Sequence, residues 1–127
     1  EIRVDGNCFG LSVGVVAAAT QDLNSWFPPD SLRLEFDGCL RGKGLFDKVK
    51  EAKPDKSRVM KSGDRIGVLL DLLQNKIGWL INSRLVVTRT NLQLAHNKCK
   101  DLRFMVSLRA TVVTIVKAEK ANQSLRE

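Results

Sequence analysis

The sequence predicts an all-β domain, either a sandwich or a barrel. Apolar residues recur at every second position in several short runs. These runs are spaced by roughly 8–15 residues, with turn dipeptides between them, as in sandwiches and barrels. There are no heptads and no internal repeat, so very little helix is expected. The 127 residues suit one domain, and a chain of this length can bury a core.

Glu1-Ile2-Arg3-Val4-Asp5 alternates polar and apolar residues, as a strand with one wet face does. Gly6-Asn7 reads as a turn. Leu11, Val13 and Val15 form a second apolar face, with Ser12 and Gly14 opposite. Leu32, Leu34 and Phe36 alternate with Arg33, Glu35 and Asp37, and Asp37-Gly38 closes that strand. Ile66, Val68, Leu70 and Leu72 make another face. Gln74-Asn75 supplies a turn before Ile77, Trp79 and Ile81, so Ile77 and Trp79 face Ile66, Val68 and Leu70 across a hairpin. This makes Trp79 a core residue. Phe104, Val106 and Leu108 form a further strand. The β-branched run Thr111 to Val116 reads as a strand packed on both sides or at a sheet edge.

The connectors follow by composition. Residues 20–31 contain Pro28-Pro29 and form a loop, because proline cannot donate to a central ladder. Residues 42–63 are long and charged, with room for one helical turn at 48–53, and 87–101 is a second long connection. The segment 118–127 has little apolar content and is expected to fray. The predicted organisation is therefore one domain over 1–117 and a flexible tail over 118–127.

No apolar run approaches the ~20 residues that span a bilayer, and the longest, Leu11 to Thr20, is broken by Gly14. No membrane association is expected. Cys8, Cys39 and Cys99 are odd in number and widely spaced, with no metal or redox pair. Reduced thiols in an intracellular protein (cytoplasmic, nuclear or organellar) are the simplest reading. One disulfide with a thiol left over is the alternative. The chain opens inside a strand pattern, so a processed targeting segment stays open.

The formal charge is +7, from 21 basic and 14 acidic residues. Much of the excess lies between Arg41 and Lys61. There Arg41, Lys43, Lys48, Lys50, Lys53, Lys56, Arg58 and Lys61 stand against Asp47, Glu51 and Asp55. Such a stretch is either a solvated loop or a contact for an acidic or nucleic-acid partner.

The residues needed for catalysis are scarce. His96 is the single histidine and sits in a polar connector. A cysteine nucleophile needs a base, and only His96 is available. Asp37, Asp47, Asp64 and Asp71 each have a plainer role beside a turn or strand end. Arg41-Gly42-Lys43-Gly44 lacks phosphate-loop spacing. No enzyme activity, metal, cofactor or small-molecule substrate is expected.

The block Gly63-Asp64-Arg65-Ile66-Gly67-Val68-Leu69-Leu70-Asp71-Leu72, followed by Ile77-Gly78-Trp79-Leu80-Ile81-Asn82-Ser83, resembles the SPRY family. That family opens a strand with Gly-Asp and follows it with an aromatic-bearing strand and Asn-Gly. Trp79 takes the aromatic position and Asn82 the asparagine, while Ser83 stands where glycine is usual. Ser tolerates positive φ less well than Gly. Glu1-Ile2-Arg3-Val4, Val13-Gly14-Val15 and Leu102-Arg103-Phe104-Met105-Val106-Ser107-Leu108 are similar to further family strands, in the expected order. Phe104 stands where proline is common. The resemblance covers about Glu1 to Val116. It lacks the family's earliest strands and carries an unusual basic insertion at 42–61.

The resemblance implies a bent two-sheet antiparallel sandwich that recognises a partner protein or peptide through loops at one end, as a subunit or adaptor of a larger complex. Within that frame Trp26 and Phe27 are the best loop anchors, either tucked in as a plug or displayed as a hot spot. Arg41, Lys43 and Arg84 lie beside turns and are expected as charged neighbours, although no family motif carries these assignments. The alternative is an RNA-associated protein. It would use Lys48, Lys50, Lys53, Lys56, Arg58 and Lys61, with Arg84, Arg89, Lys98, Lys100 and Arg103. With seven Trp and Phe in all, few aromatics are left for stacking on bases. A carbohydrate-binding sandwich is disfavoured by the lack of tyrosine and of a calcium-ligand cluster.

Overall fold

The computed structural model describes residues 1–17, 30–49, 53–90, 92, 102–109 and 111–116, with backbone alone at 45, 48 and 49. Among the described residues, nine strands form two antiparallel sheets. They are β1 (Ile2–Val4), β2 (Ser12–Ala17), β3 (Ser31–Glu35), β4 (Leu40–Gly42), β5 (Arg65–Asp71), β6 (Lys76–Ile81), β7 (Arg84–Arg89), β8 (Leu102–Ser107) and β9 (Val113–Ile115). One sheet runs β7-β6-β5-β1-β9 and the other β4-β3-β2-β8. The helical content of the described residues is two short 3₁₀ segments, Gly44–Val49 and Lys56–Arg58. The fold is thus the two-sheet antiparallel sandwich expected. The predicted tail, 118–127, lies outside the described residues.

The inner faces carry the alternating apolar residues. Val13, Val15, Leu32, Leu34 and Leu40 from one sheet meet Ile2, Val4, Ile66, Ile77 and Trp79 from the other, and all are buried. Each such side chain contributes on the order of 1.5–3 kcal/mol when removed from water. The β5–β6 hairpin pairs Ile66 with Ile81, Val68 with Trp79 and Leu70 with Ile77. Its apolar face is the one the period-two pattern picks out. The Trp79 indole N–H reaches across the layers and donates to the Val13 carbonyl at 2.8 Å.

The family-like residues at the hairpin ends hold backbone. Asn82 donates from Nδ2 to Asp64 Oδ1 at 2.9 Å and accepts from the Arg65 N–H at 3.0 Å. Asp64 Oδ2 accepts from the Lys61 N–H. The turn after Ile81 has φ 53° at Asn82 and 68° at Ser83. Both residues are left-handed, as a type I′ hairpin turn requires, and Ser83 adopts the conformation that glycine would take more easily.

One expectation changes. The connection expected from Val87 starts only after Arg89, because Arg84–Arg89 pairs with β6. Trp79 faces Val87 while Leu80 faces Leu85, so Val86 is an extra residue on β7. A bulge of this kind breaks strict alternation, which is why Leu85-Val86-Val87 does not read as a strand. In β3 the polar members of the alternation, Arg33 and Glu35, are not exposed. Both are buried, and they pair with each other at 3.7 Å. Burial pulls the Arg33 guanidinium below its ordinary pKa, partly offset by Glu35. Gly14 lies tight against neighbouring backbone and Gly67 does not. A Cβ at Gly14 would collide with the Leu32 carbonyl oxygen, whereas one at Gly67 would meet only the Leu80 side chain, at 3.6 Å.

Candidate functional site

The loop residues expected to bind a partner are dispersed in the described structure. Trp26, Phe27 and Lys50 lie outside the described residues, as do Lys98 and Lys100. Nothing is described of the Lys48 side chain. Arg41 is on β4 and half-exposed, with its guanidinium paired to Glu35. Lys43 follows β4 and is exposed. Arg84 is exposed at the start of β7, on the other sheet, beside the Asn82-Ser83 turn. Arg41 and Lys43 thus flank the outer edge of one sheet and Arg84 that of the other.

The basic segment is only partly available. Lys53, Lys56 and Lys61 are exposed, but Arg58 is buried at 5%. Its Nε donates to the Gly38 carbonyl at 2.8 Å, and its guanidinium lies 3.8 Å from Asp55. Arg58 therefore ties the basic segment down onto the β3–β4 turn, and its place among solvent-facing contacts is corrected. Asp55 is held below the usual carboxylate range by hydrogen bonds from the Ser57 hydroxyl and N–H.

Asp37, Asp64 and Asp71 accept backbone hydrogen bonds, and His96 and Cys99 lie outside the described residues. Asp71 Oδ1 accepts from the Leu73 and Gln74 N–H groups, and Asp37 Oδ1 from the Cys39 N–H. Cys8 is half-buried and Cys39 buried. Burial pushes both thiols up, with Asp64 adding to the rise at Cys8 and Asp37 at Cys39. A thiolate nucleophile needs the opposite environment. Among the described residues no group of His, Cys, Asp and Glu is arranged to hold a metal. Nor is any helix there long and apolar enough to cross a membrane.

The feature that stands out is an opening between the two sheets. In β8, Phe104 and Val106 are paired with Val15 and Val13, so they share the inner face of their sheet. Val13 and Val15 are buried, yet Phe104 is 60% exposed and Val106 38%. In β9, Ile115 is paired with buried Ile2 but is 72% exposed. The sheets part at this edge and leave a cleft of about 380 Å³, bordered by Ile2, Ile66, Val68, Phe104, Val106 and Ile115. Its volume lies in the roughly 300–1,000 Å³ range of ligand clefts. Its lining is mostly apolar side chains.

A smaller apolar feature lies in the loop between β1 and β2. Phe9 is exposed, stacks at a tilt on Phe36 with ring centroids 5.4 Å apart, and has the Arg109 guanidinium 5.9 Å above it. Period-two patterning identifies Phe104 and Val106 as strand residues. It does not reveal that their strand lies at the edge of its sheet, where the facing sheet fails to cover them.

The chain matches no protein-family model, and no curated protein or solved structure matches it.

Proposed function

We propose that this chain is a non-catalytic recognition domain of the SPRY type that binds a partner protein or peptide. One observation carries the reading: Phe104, Val106 and Ile115 lie on inner sheet faces yet are open to solvent around the cleft. Contiguous exposed apolar surface of this kind marks interaction sites. The SPRY-like order of strands supports the same class. So does the turn-forming work of the Asp carboxylates, which leaves them no evident catalytic task. Arg41, Lys43 and Arg84, with Trp26 and Phe27, remain the proposed partner contacts, Arg41 and Arg84 from strand residues beside turns.

The test is affinity capture by the full chain, with and without nuclease. Capture that survives nuclease and is lost on Phe104→Asp, or on Arg41→Glu with Arg84→Glu, is the expected result. Capture that disappears with nuclease, together with salt-steep binding of RNA lost on Lys53→Glu with Lys56→Glu, would replace this reading with an RNA-associated one.

A further inference from the structure

We infer that the end of the sandwich around Phe9 binds an acidic polypeptide segment that carries an apolar side chain between its carboxylates. The inference rests on the protein-recognition reading, adds a second contact surface and gives the partner a chemistry.

This is the end at which β1 finishes, and backbone hydrogen bonds tie its turns into one platform. The Asp5 N–H donates to the Val112 carbonyl and the Gly63 N–H to the Val4 carbonyl, both at 2.8 Å. The Phe36 N–H donates to the Leu11 carbonyl at 2.9 Å, and the Met60 N–H to the Phe36 carbonyl at 3.0 Å. Phe9 is fixed from both sides of its own turn. Its N–H donates to Asn7 Oδ1 at 3.0 Å, and the Leu11 N–H donates to the Cys8 carbonyl at 3.0 Å. Gly10 has φ 79°, and a Cβ there would lie 2.4 Å from the Arg109 Cβ. Glycine is therefore what lets the Arg109 side chain lie against this turn and bring its guanidinium over the Phe9 ring.

The platform displays two chemistries side by side. Phe9, Leu108 and Val112 are exposed large apolar residues, and the last two flank Arg109 along the chain between β8 and β9. Lys61, Arg65, Arg84 and Arg109 are exposed around them. Arg65 joins the same end through the Asn82 N–H, which donates to its carbonyl at 2.8 Å. The acids here are Asp5, Asp37, Asp55 and Asp64, of which Asp5 is paired with Arg3 and Asp55 lies 3.8 Å from Arg58. The balance at this end is positive, which selects an acidic partner by charge complementarity. The phosphates of a nucleic acid would meet the cations but leave Leu108 and Val112 uncovered. An acidic segment with one apolar side chain meets both. Its carboxylates face Arg109 and Lys61, and its apolar side chain covers Leu108 and Val112. An arginine braced on an aromatic ring is the kind of residue that dominates protein contacts.

The experiment uses the full chain and a short fluorescein-labelled peptide with one leucine between pairs of glutamates. Fluorescence anisotropy should show binding that weakens as salt rises. Replacing the glutamates by glutamine, or the leucine by serine, should each weaken it by about tenfold. In nuclear magnetic resonance spectra of the parent protein, the peptide should shift the amides of Phe9, Leu108, Arg109 and Val112. Phe9→Ala and Arg109→Gln should each weaken binding by about five- to tenfold. The peptide series and the shift map use the parent protein, so they decide the matter whether or not those variants fold. No shift at these amides with about 1 mM peptide overturns the proposal. So does binding indifferent to the glutamine or serine replacement, and so does a concentration-dependent dimer that shields these amides. Single-stranded RNA that shifts the same amides and displaces the peptide also overturns it. Nuclease-resistant capture lost on Phe104→Asp but kept on Phe9→Ala with Arg109→Gln overturns it and leaves the protein-recognition reading standing. Peptide binding that passes these tests, with capture abolished by nuclease, supports the surface and sinks that reading instead.

Discussion

Trp79 and Val13 lie on different sheets, and the indole of one donates to the main-chain carbonyl of the other at 2.8 Å. The bond ties β6 to β2 in the middle of the sandwich, with no part of the Trp79 side chain open to solvent. Trp79→Ala should cost about 3–5 kcal/mol in urea denaturation, as large aromatic truncations in cores do. Trp79→Phe should keep much of the packing but leave the Val13 carbonyl buried without its donor, a loss of about 1–3 kcal/mol. A Trp79→Ala protein that melts like the parent would contradict the structure.

Gly14 and Gly67 make a matched pair. At Gly14 an added methyl would run into the Leu32 carbonyl oxygen, a backbone atom held in the β2–β3 ladder. Gly14→Ala should therefore destabilise by about 1–3 kcal/mol or more. Gly67→Ala should stay within about 1 kcal/mol of the parent, since its nearest neighbour is a leucine side chain at ordinary contact distance. Thermal melts of the two variants side by side test the assignment.

The basic segment should divide by role. Arg58→Ala removes a buried guanidinium bond to Gly38 and should cost about 1.5–3 kcal/mol, with faster amide exchange around the β3–β4 turn. Lys53→Glu with Lys56→Glu alters exposed charges alone and should shift stability by less than about 0.5 kcal/mol. Equal losses from the two would show that burial does not separate them.

Asp5 gives the pH prediction. Its carboxyl is held below the ordinary 3.8 by the Thr114 hydroxyl and then by Arg3. A depressed folded pKa contributes stability above the unfolded value, and that stability is lost as pH falls through the folded one. The parent should therefore exceed Asp5→Asn in urea midpoint at pH 7. The gap should close as the pH falls below about 4. Asp5 is solvent-exposed, so high salt should also narrow the gap. A gap that widens in acid would contradict the pairing.

Strands with one buried and one wet face were legible in the sequence, because their period is two. The β5–β6 hairpin and the core position of Trp79 follow from it directly. The pattern was silent where a third dimension decides. Val86 reads as one more apolar residue until the bulge places it off the register. The alternation at Leu32–Asp37 marks the strand but cannot register that Arg33 and Glu35 are buried and paired. The cleft was less legible still. Phe104, Val106 and Ile115 carry the signature of core residues, and their exposure depends on which strand ends up at a sheet edge and how far the facing sheet reaches. The left-handed Ser83 was visible only as a departure from glycine.

The pairing of β1 with β9 has a consequence for how the molecule is made. Ile2 lies opposite Ile115, and Val4 opposite Val113, so among the described residues the first strand is flanked by the last. Its other neighbour, β5, comes from mid-chain. A sheet closed by contacts this distant along the chain pays the entropy of a large loop before the contacts repay it, which places such topologies among the slower folders, in milliseconds to seconds. During synthesis, β1 emerges before β5 and β9 and waits for both partners. The β5–β6–β7 meander, built from neighbouring hairpins, assembles ahead of it, and a ribosome paused before β9 holds a sandwich whose first strand is still open on one side.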